Sequence, residues 1–166
     1  METEFTLYSP TKIGYLLLEF QPQVQKLLSL SINDKIPAKS YLTNSKLSSN
    51  YQNRDNVLEQ LNSYFLSAIS LKSIPIALNG TDFQKSVWEE LRKIPLGETR
   101  TYGEIAKKLK SSPRAVGNAC RKNPIPLVVP CHRVISASGI GGFSGEVNGR
   151  QIDIKRWLLQ HEGVQL

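Results

Sequence analysis

From Thr81 onward the chain marks its helix boundaries in close succession, and that spacing leaves few ways to fold. Thr81 with Gln84, and Thr101 with Glu104, both fit the reciprocal cap that satisfies the free N–H groups of a helix start. The first predicts a helix through about Lys93, with Phe83, Val87, Leu91 and Ile94 on its apolar stripe. "PLGETR" stops it, and the second cap predicts a short helix over residues 102–109. Ser112-Pro113 sets a hydroxyl cap before a proline at the first helical position, and that third helix runs through "RAVGNACRK". Asn123-Pro124 ends it, because the residue before a proline is pushed out of the helical region.

Two short helices joined by "KSS" have the outline of a helix-turn-helix. Helical periodicity puts Val116, Ala119 and Cys120 on the inward side of the second, and Arg114, Gly117, Asn118 and Arg121 on the outward side. A basic face free of bulky groups lets a DNA backbone come close. A solvated surface fits the same residues, although a glycine inside a helix costs about 1 kcal/mol against alanine. The helix pair alone suits a transcription factor equally well.

The next stretch, "NPIPLVVPCHRVI", places a cysteine and a histidine side by side in a chain that has only two of each. Pro124, Pro126 and Pro130 are expected to hold the backbone extended into Cys131. Three readings of Cys131 remain open on residues alone. It is a small buried hydrophobe beside Val129 and Val134, or a metal ligand with His132, or a nucleophile deprotonated with the help of His132. The metal reading fails on count, since only His161 and Cys120 remain, at no recognisable zinc spacing. On an extended strand neighbouring side chains diverge, so the nucleophile reading needs a bridging water or a bend at Pro130.

"SASGIGGFSGEVNG" follows, rich enough in glycine to turn backbone amides toward a ligand, or simply to form a flexible surface loop. "RQIDIKRWLLQHEG" then predicts a closing helix with Ile154, Trp157 and Leu158 inward, ending at Gly163. Glu162 in its last turn opposes the helix dipole. Pairing with a cationic or proton-donating group such as His132 would account for it.

Residues 1–80 carry no comparable chemistry and predict a small α/β lobe. "FTLYSPTKIGYLLLEF" reads as two strands around a turn at residues 9–14, residues 33–54 as a long surface loop or a partly mobile segment, and "NVLEQLNSYFLSAI" as an amphipathic helix. "SIPIALNGTD" reads as a linker at about residues 73–81. The formal charge is +7, concentrated in residues 92 to 133, where ten basic side chains meet only Glu98 and Glu104. That belt suggests a polyanionic partner, nucleic acid first, and fits a solvated basic face about as well. No apolar run reaches the roughly 20 residues of a membrane helix, and the acidic N-terminus lacks the order of a secretory signal. An intracellular setting follows, with Cys120 and Cys131 reduced and no disulfide called for between them.

With these residues assembled, the chain resembles the O6-alkylguanine-DNA alkyltransferases (methylated-DNA–protein-cysteine methyltransferases). "NPIPLVVPCHRVI", "GIGGFSG" and "WLLQHEG" carry the likeness, supported by "FQKSVWEELRKIPLGETRTYGEIA" and "SPRAVGNACRKNP". It covers about residues 81–166, with a weaker match of "YSPTKIGYLLLEF" to the family's N-terminal lobe. The resemblance implies an α+β fold: an N-terminal α/β lobe with a ribonuclease H-like sheet plus helix, and a mostly helical C-terminal domain from residue 81 bearing a DNA-binding helix-turn-helix.

It also implies a mechanism. The protein binds double-stranded DNA in the minor groove, flips out an O6-alkylguanine, and transfers the alkyl group irreversibly to Cys131. His132, acting through water and held by Glu162, draws off the thiol proton. Tyr102 contacts the flipped base, and Asn123 braces the turn before the reactive segment. Arg114 fills the vacated stack, with Thr101, Ala115, Gly117, Asn118 and Arg121 along the DNA face. Val134, Gly142, Phe143, Ser144 and Trp88 surround the base pocket.

No cofactor is implied, and no metal, because no Cys or His precedes Cys120 where some relatives hold a structural zinc. The expected partner is lesion-bearing duplex DNA, with no membrane partner and a monomeric chain. The expected location is cytoplasmic, or nuclear if the source is eukaryotic. Phe143 stands where a tyrosine is common in the family, and Cys120 matches nothing reactive. The alternatives are a non-catalytic alkyltransferase-like binder of alkylated DNA, which lacks the reactive cysteine, a helix-turn-helix regulator, and a cysteine hydrolase.

Overall fold

The computed structural model describes residues 4–7, 11–21, 26–35 and 52–166. Most of the predicted loop at 33–54 lies outside the described residues, as does part of the turn at 9–14. The architecture is α+β, in two compact units that meet in sequence at Asn79 and Gly80.

In the first unit, β1 (Glu4–Leu7), β2 (Tyr15–Gln21) and β3 (Lys26–Asn33) form an antiparallel meander in the order β1-β2-β3. Leu16, Leu18 and Phe20 alternate inward along β2, as a half-buried strand requires. The third strand had no counterpart in the sequence reading. α1 (Gln52–Ser67) buries Val57, Leu61 and Tyr64, residues on its predicted stripe. The predicted linker is partly ordered: Leu27 bonds both the Pro75 carbonyl, at 3.0 Å, and the Ala77 amide, at 2.9 Å.

The second unit begins with α2 (Asp82–Arg92), α3 (Tyr102–Lys108) and α4 (Pro113–Arg121). Both reciprocal caps form, at Thr81/Gln84 and Thr101/Glu104, and the Ser112 hydroxyl accepts from the Ala115 amide at 3.2 Å. α4 packs against both α2 and α3, with Val116, Ala119 and Cys120 buried. Trp88 locks α2 to α4, its indole N–H donating to the Ala119 carbonyl at 2.9 Å from a fully buried ring. Phe83 departs from its predicted inward stripe and is 37% exposed, since it sits in the first turn of α2 beyond the covered face.

Beyond α4, the short strands β4 (Arg100–Thr101) and β5 (Val134–Ile135) pair in parallel and set the start of α3 beside the segment after Cys131. α5 (Arg150–His161) closes the unit, burying Ile152, Ile154, Leu158 and Leu159. Trp157, predicted inward, is only part-buried and stacks on His161 one turn later, with ring centroids 4.6 Å apart.

Gly80 lies directly against Trp88, and a Cβ there would stand 2.6 Å from the indole ring. Gly80→Ala is therefore expected to destabilise the protein by about 1–3 kcal/mol, the usual cost of overpacking. Urea unfolding of the two proteins measures it.

Candidate functional site

The segment between α4 and β5 is not extended as its prolines suggested. The Asn123 Oδ1 accepts from the Ile125 amide at 3.0 Å, and Val129 N–H closes back on the Ile125 carbonyl at 2.9 Å. Pro130, at φ −80° and ψ 66°, is the centre of an inverse γ-turn closed by the Cys131 amide on the Val129 carbonyl at 2.8 Å. Cys131–Arg133 then make one turn of 3₁₀ helix. Proline fixes only φ; the free ψ values and the asparagine side chain fold the stretch into consecutive turns.

Those turns set Cys131 in a buried position with its sulfur 3.1 Å from the Asn123 side-chain amide, which also donates to the Val129 carbonyl at 2.8 Å. Burial pushes the Cys131 thiol up, opposed by the Asn123 hydrogen bond, the Lys155 charge and the amides of Cys131 and His132.

His132 is fully buried and points elsewhere. Its Nε2 bonds Glu162 Oε1 at 2.9 Å, while Nδ1 has no hydrogen-bond partner among the described residues. Arg133 holds the same carboxylate, Nε to Oε2 at 2.7 Å and Nη2 to Oε1 at 2.9 Å, and its Nη1 reaches the Ile94 carbonyl at 2.8 Å. Burial alone would raise the Glu162 carboxyl, but the hydrogen bonds and charges of His132 and Arg133 outweigh it and hold the group ionised. Burial lowers His132, with Glu162 opposing, so the imidazole rests neutral. An ionised carboxylate can only accept, so the Nε2 proton belongs to that bond and Nδ1 is left as a free base.

A cavity of about 270 Å³ opens beside the sulfur, lined among others by Tyr102, Gly117, Cys120, Arg121, Cys131 and Phe143. One wall is the turn 143–146, closed by reciprocal 2.9 Å bonds between Phe143 and Glu146. Ser144 and Gly145 take φ 50° and 87°, the pair of positive angles that a two-residue hairpin of this hand demands. Tyr102 reaches across to donate to the Gly142 carbonyl at 3.2 Å, and burial raises its phenol.

Of the residues singled out by sequence, Cys131, Tyr102, Gly117, Arg121, Gly142, Phe143 and Ser144 meet at this cavity. Asn123 bonds the sulfur directly, while His132, the next residue in the chain, turns away from it to Glu162. Trp88 does not line the cavity; it is core packing between α2 and α4. Nor does the Val134 side chain, which is fully buried while its carbonyl accepts from Lys155. Ala115 and Asn118 line a separate groove with Thr81, Phe83 and Lys122, and Arg114 is exposed. Thr101 is the cap of α3, its hydroxyl bonded to Glu104.

Three residues at the site escaped the sequence reading. Arg133 stood in an apolar run, where a buried arginine demands an acid, and that acid is Glu162, which the sequence paired with His132 alone. Lys155 recurs at helical spacing with Ile152 and Leu159 on the buried face of α5, a position where an ammonium needs acceptors. It is fully buried and donates to the carbonyls of Val134 at 2.6 Å and Gly142 at 2.9 Å. Cys120 was read as packing, yet it lines the cavity with Cys131. Among the described residues no group of three or more His, Cys, Asp or Glu could hold a metal ion.

A buried thiol on the wall of a cavity, followed in the chain by a neutral imidazole that a carboxylate holds, has the parts of a cysteine-nucleophile site. A family model described as the 6-O-methylguanine DNA methyltransferase DNA-binding domain matches residues 82–164. The methylated-DNA–protein-cysteine methyltransferase of Methanosarcina acetivorans is 50% identical over 106 residues, which are 63% of this chain and 65% of the relative. That of Methanosarcina mazei is 47% identical over 116 residues, 67% of this chain and 71% of the relative. The match thus spans about two thirds of the length of these relatives. The crystal structure of the Mycobacterium tuberculosis O6-methylguanine methyltransferase aligns at TM-score 0.76 and 35% identity, covering 97% of this chain and 93% of that one. A second Mycobacterium tuberculosis structure, in complex with DNA, aligns at TM-score 0.71 and 34% identity over 98% of this chain and 92% of that one. The chain belongs to the 6-O-methylguanine DNA methyltransferase family.

Burial pulls the Lys155 ammonium from an ordinary 10.5 down to about 8, against the opposing influence of Cys131 and Cys120. Between those values the unfolded chain binds the proton and the folded one does not, so this group makes stability rise with pH across that window. The stability of the wild type relative to Lys155→Met should therefore increase between about pH 8 and pH 10. Urea unfolding of both proteins across that range measures it, and a constant difference would contradict the assignment.

Proposed function

We propose that this protein repairs DNA by direct reversal, accepting the alkyl group of an O6-alkylguanine onto Cys131 in a single irreversible turnover. The observation that carries the reading is the Cys131 sulfur, held by the Asn123 amide at 3.1 Å on the wall of a cavity of about 270 Å³. The names of the relatives and the DNA complex of one structural neighbour support it.

The thiol proton leaves through water to the free Nδ1 of His132, whose other nitrogen is already engaged by Glu162. The sulfur attacks the alkyl carbon in line, the carbon–O6 bond breaks, and the guanine departs with the electron pair and takes up a proton. Burial disfavours the thiolate, so the Asn123 N–H and the Lys155 charge supply the stabilisation it needs at the moment of attack. The thioether product has no route back, which makes the protein a stoichiometric reagent.

Binding and base extrusion are assigned to α3 and α4 as a helix-turn-helix, with α4 toward the minor groove. Arg114 is exposed on its first turn, where it can fill the space a flipped base leaves. Extrusion costs a few kcal/mol, least for a badly paired base, which favours the lesion over normal guanine. The first unit, an antiparallel sheet followed by a helix, is read as the ribonuclease H-like lobe. The protein acts as a monomer in the cytoplasm, or in the nucleus of a eukaryote. A non-catalytic binder of alkylated DNA has no use for a sulfur held in this way.

Incubation with duplex DNA carrying labelled O6-methylguanine should move label to Cys131 with a ceiling of one per chain. In Cys131→Ala, transfer should vanish while DNA binding persists. Binding without transfer in the wild type would make the protein a binder instead. Arg114→Ala should slow repair of duplex DNA by about 10-fold or more, on the order of the extrusion cost. Its reaction with a free O6-alkylguanine base should be nearly unchanged, and equal losses on the two substrates would remove the extrusion role.

A further inference from the structure

Cys120 has no part in the chemistry above, yet it is one of two free thiols on the same cavity. It sits in the last turn of α4, and a single residue ties it to the reactive sulfur. The Asn123 backbone N–H donates to the Cys120 carbonyl at 3.1 Å, and its side-chain amide donates to the Cys131 sulfur at 3.1 Å. A negative charge on Cys131 also disfavours ionisation of Cys120, as expected of neighbours in a poorly solvated space.

We propose that Cys120 and Cys131 are a dithiol pair, and that a hydroperoxide converts them to an intramolecular disulfide that reversibly protects the acceptor sulfur. Cys131 attacks first, because its sulfur takes the Asn123 hydrogen bond at 3.1 Å, which offsets part of the cost of a buried thiolate. Its sulfur displaces one peroxide oxygen as water or alcohol and keeps the other as a sulfenic acid. The Cys120 sulfur then bonds to that sulfur and expels the oxygen as water. Two thiols are oxidised by two electrons in all, and the hydroperoxide is reduced. Without Cys120 the sulfenic acid is open to a second oxidation, to the sulfinic acid, which reductants do not reverse. The pairing itself needs only the two thiols; its protective value rests on the alkyl-transfer reading, because a sulfur used once and then oxidised repairs nothing.

The test treats the reduced full-length protein with hydrogen peroxide and maps tryptic peptides without reduction. The wild type should yield one peptide pair linked Cys120 to Cys131 within a single chain. Its alkyl acceptance should be lost on oxidation and recovered with dithiothreitol. In Cys120→Ala and Cys120→Ser the Cys131 peptide should instead gain two oxygens, and acceptance should not recover. A measurement on the unaltered chain stands beside these variants: phenylarsine oxide should add one arsenic per protein and consume both thiols.

Sulfinic acid in the wild type at the rate of the variants, or links only between chains, overturns the proposal. Arsenic uptake without a disulfide also overturns it, by showing thiols that share the cavity but stand too far apart to bond. The alkyl-transfer reading is judged separately on reduced, unoxidised protein: failure to accept label there removes that reading and leaves the dithiol result standing.

Discussion

The side chain of Asn123 holds the reactive end of this molecule in shape. An amide offers one acceptor and two donated hydrogens, and here both ends are committed. The oxygen takes the Ile125 N–H, and the nitrogen is shared between the Val129 carbonyl and the Cys131 sulfur. The acceptor bond fixes which end of the amide is which, so the sulfur meets a donor and not a lone pair. Between those anchors the chain has nowhere to go but into tight turns, and the thiol emerges beside the cavity. A side chain with a single polar atom could close the loop or touch the sulfur, but not both.

Behind the sulfur, the electrostatics are arranged so that each buried charge has its counterpart. Glu162 takes three bonds from His132 and Arg133, and Arg133 spends its remaining fork on the Ile94 carbonyl. Buried ion pairs seldom add stability beyond what apolar residues of the same size would give. Their consequence here is orientation: the imidazole is fixed in one tautomer, with its second nitrogen unprotonated. Lys155 is the exception, an ammonium answered by two carbonyls and by the Tyr102 ring, whose centroid is 6.0 Å from Nζ, and its lowered basicity is the cost of that placement. It places positive charge close to the thiol without neutralising it through a carboxylate.

The helices of the second unit were legible because their boundaries are local. A hydroxyl and a glutamine or glutamate three residues later satisfy backbone groups within one turn, and the caps at Thr81, Thr101 and Ser112 formed as their spacing required. The pairing of His132 with Glu162 was legible for another reason: an acid in the last turn of a helix conflicts with the dipole, and the conflict asks for a partner. Where the reading failed, the deciding forces were not local. Phe83 has the period of a core residue but lies one turn outside the covered face, and Trp88 has the size of a pocket residue but is consumed in joining α2 to α4. β4 and β5, two residues each, were missed because such short strands acquire their identity from partners distant in sequence. β3 was missed because a register shift opposite Glu19 and Phe20 breaks its alternation, so that Leu27 and Leu30 are buried three positions apart.

By itself, the sequence determined where the second unit's helices start and stop, which single cysteine carries a histidine beside it, and which acid stands out of place. These follow from bonds within a few residues, from composition, and from the rule that buried charge needs an answer. Only the tertiary structure decided that the proline-rich stretch bends, that Arg133 clamps Glu162 from the other side, and that Lys155 and Cys120 share the surroundings of Cys131. The bend closes within eight residues, through backbone angles that proline leaves free. The clamp and the shared surroundings depend on chain segments brought together from 11 to 29 positions apart, through carbonyls and cavities that no residue letter encodes. Spacing along a chain states what a residue is able to bond; the fold selects which of those bonds is within reach.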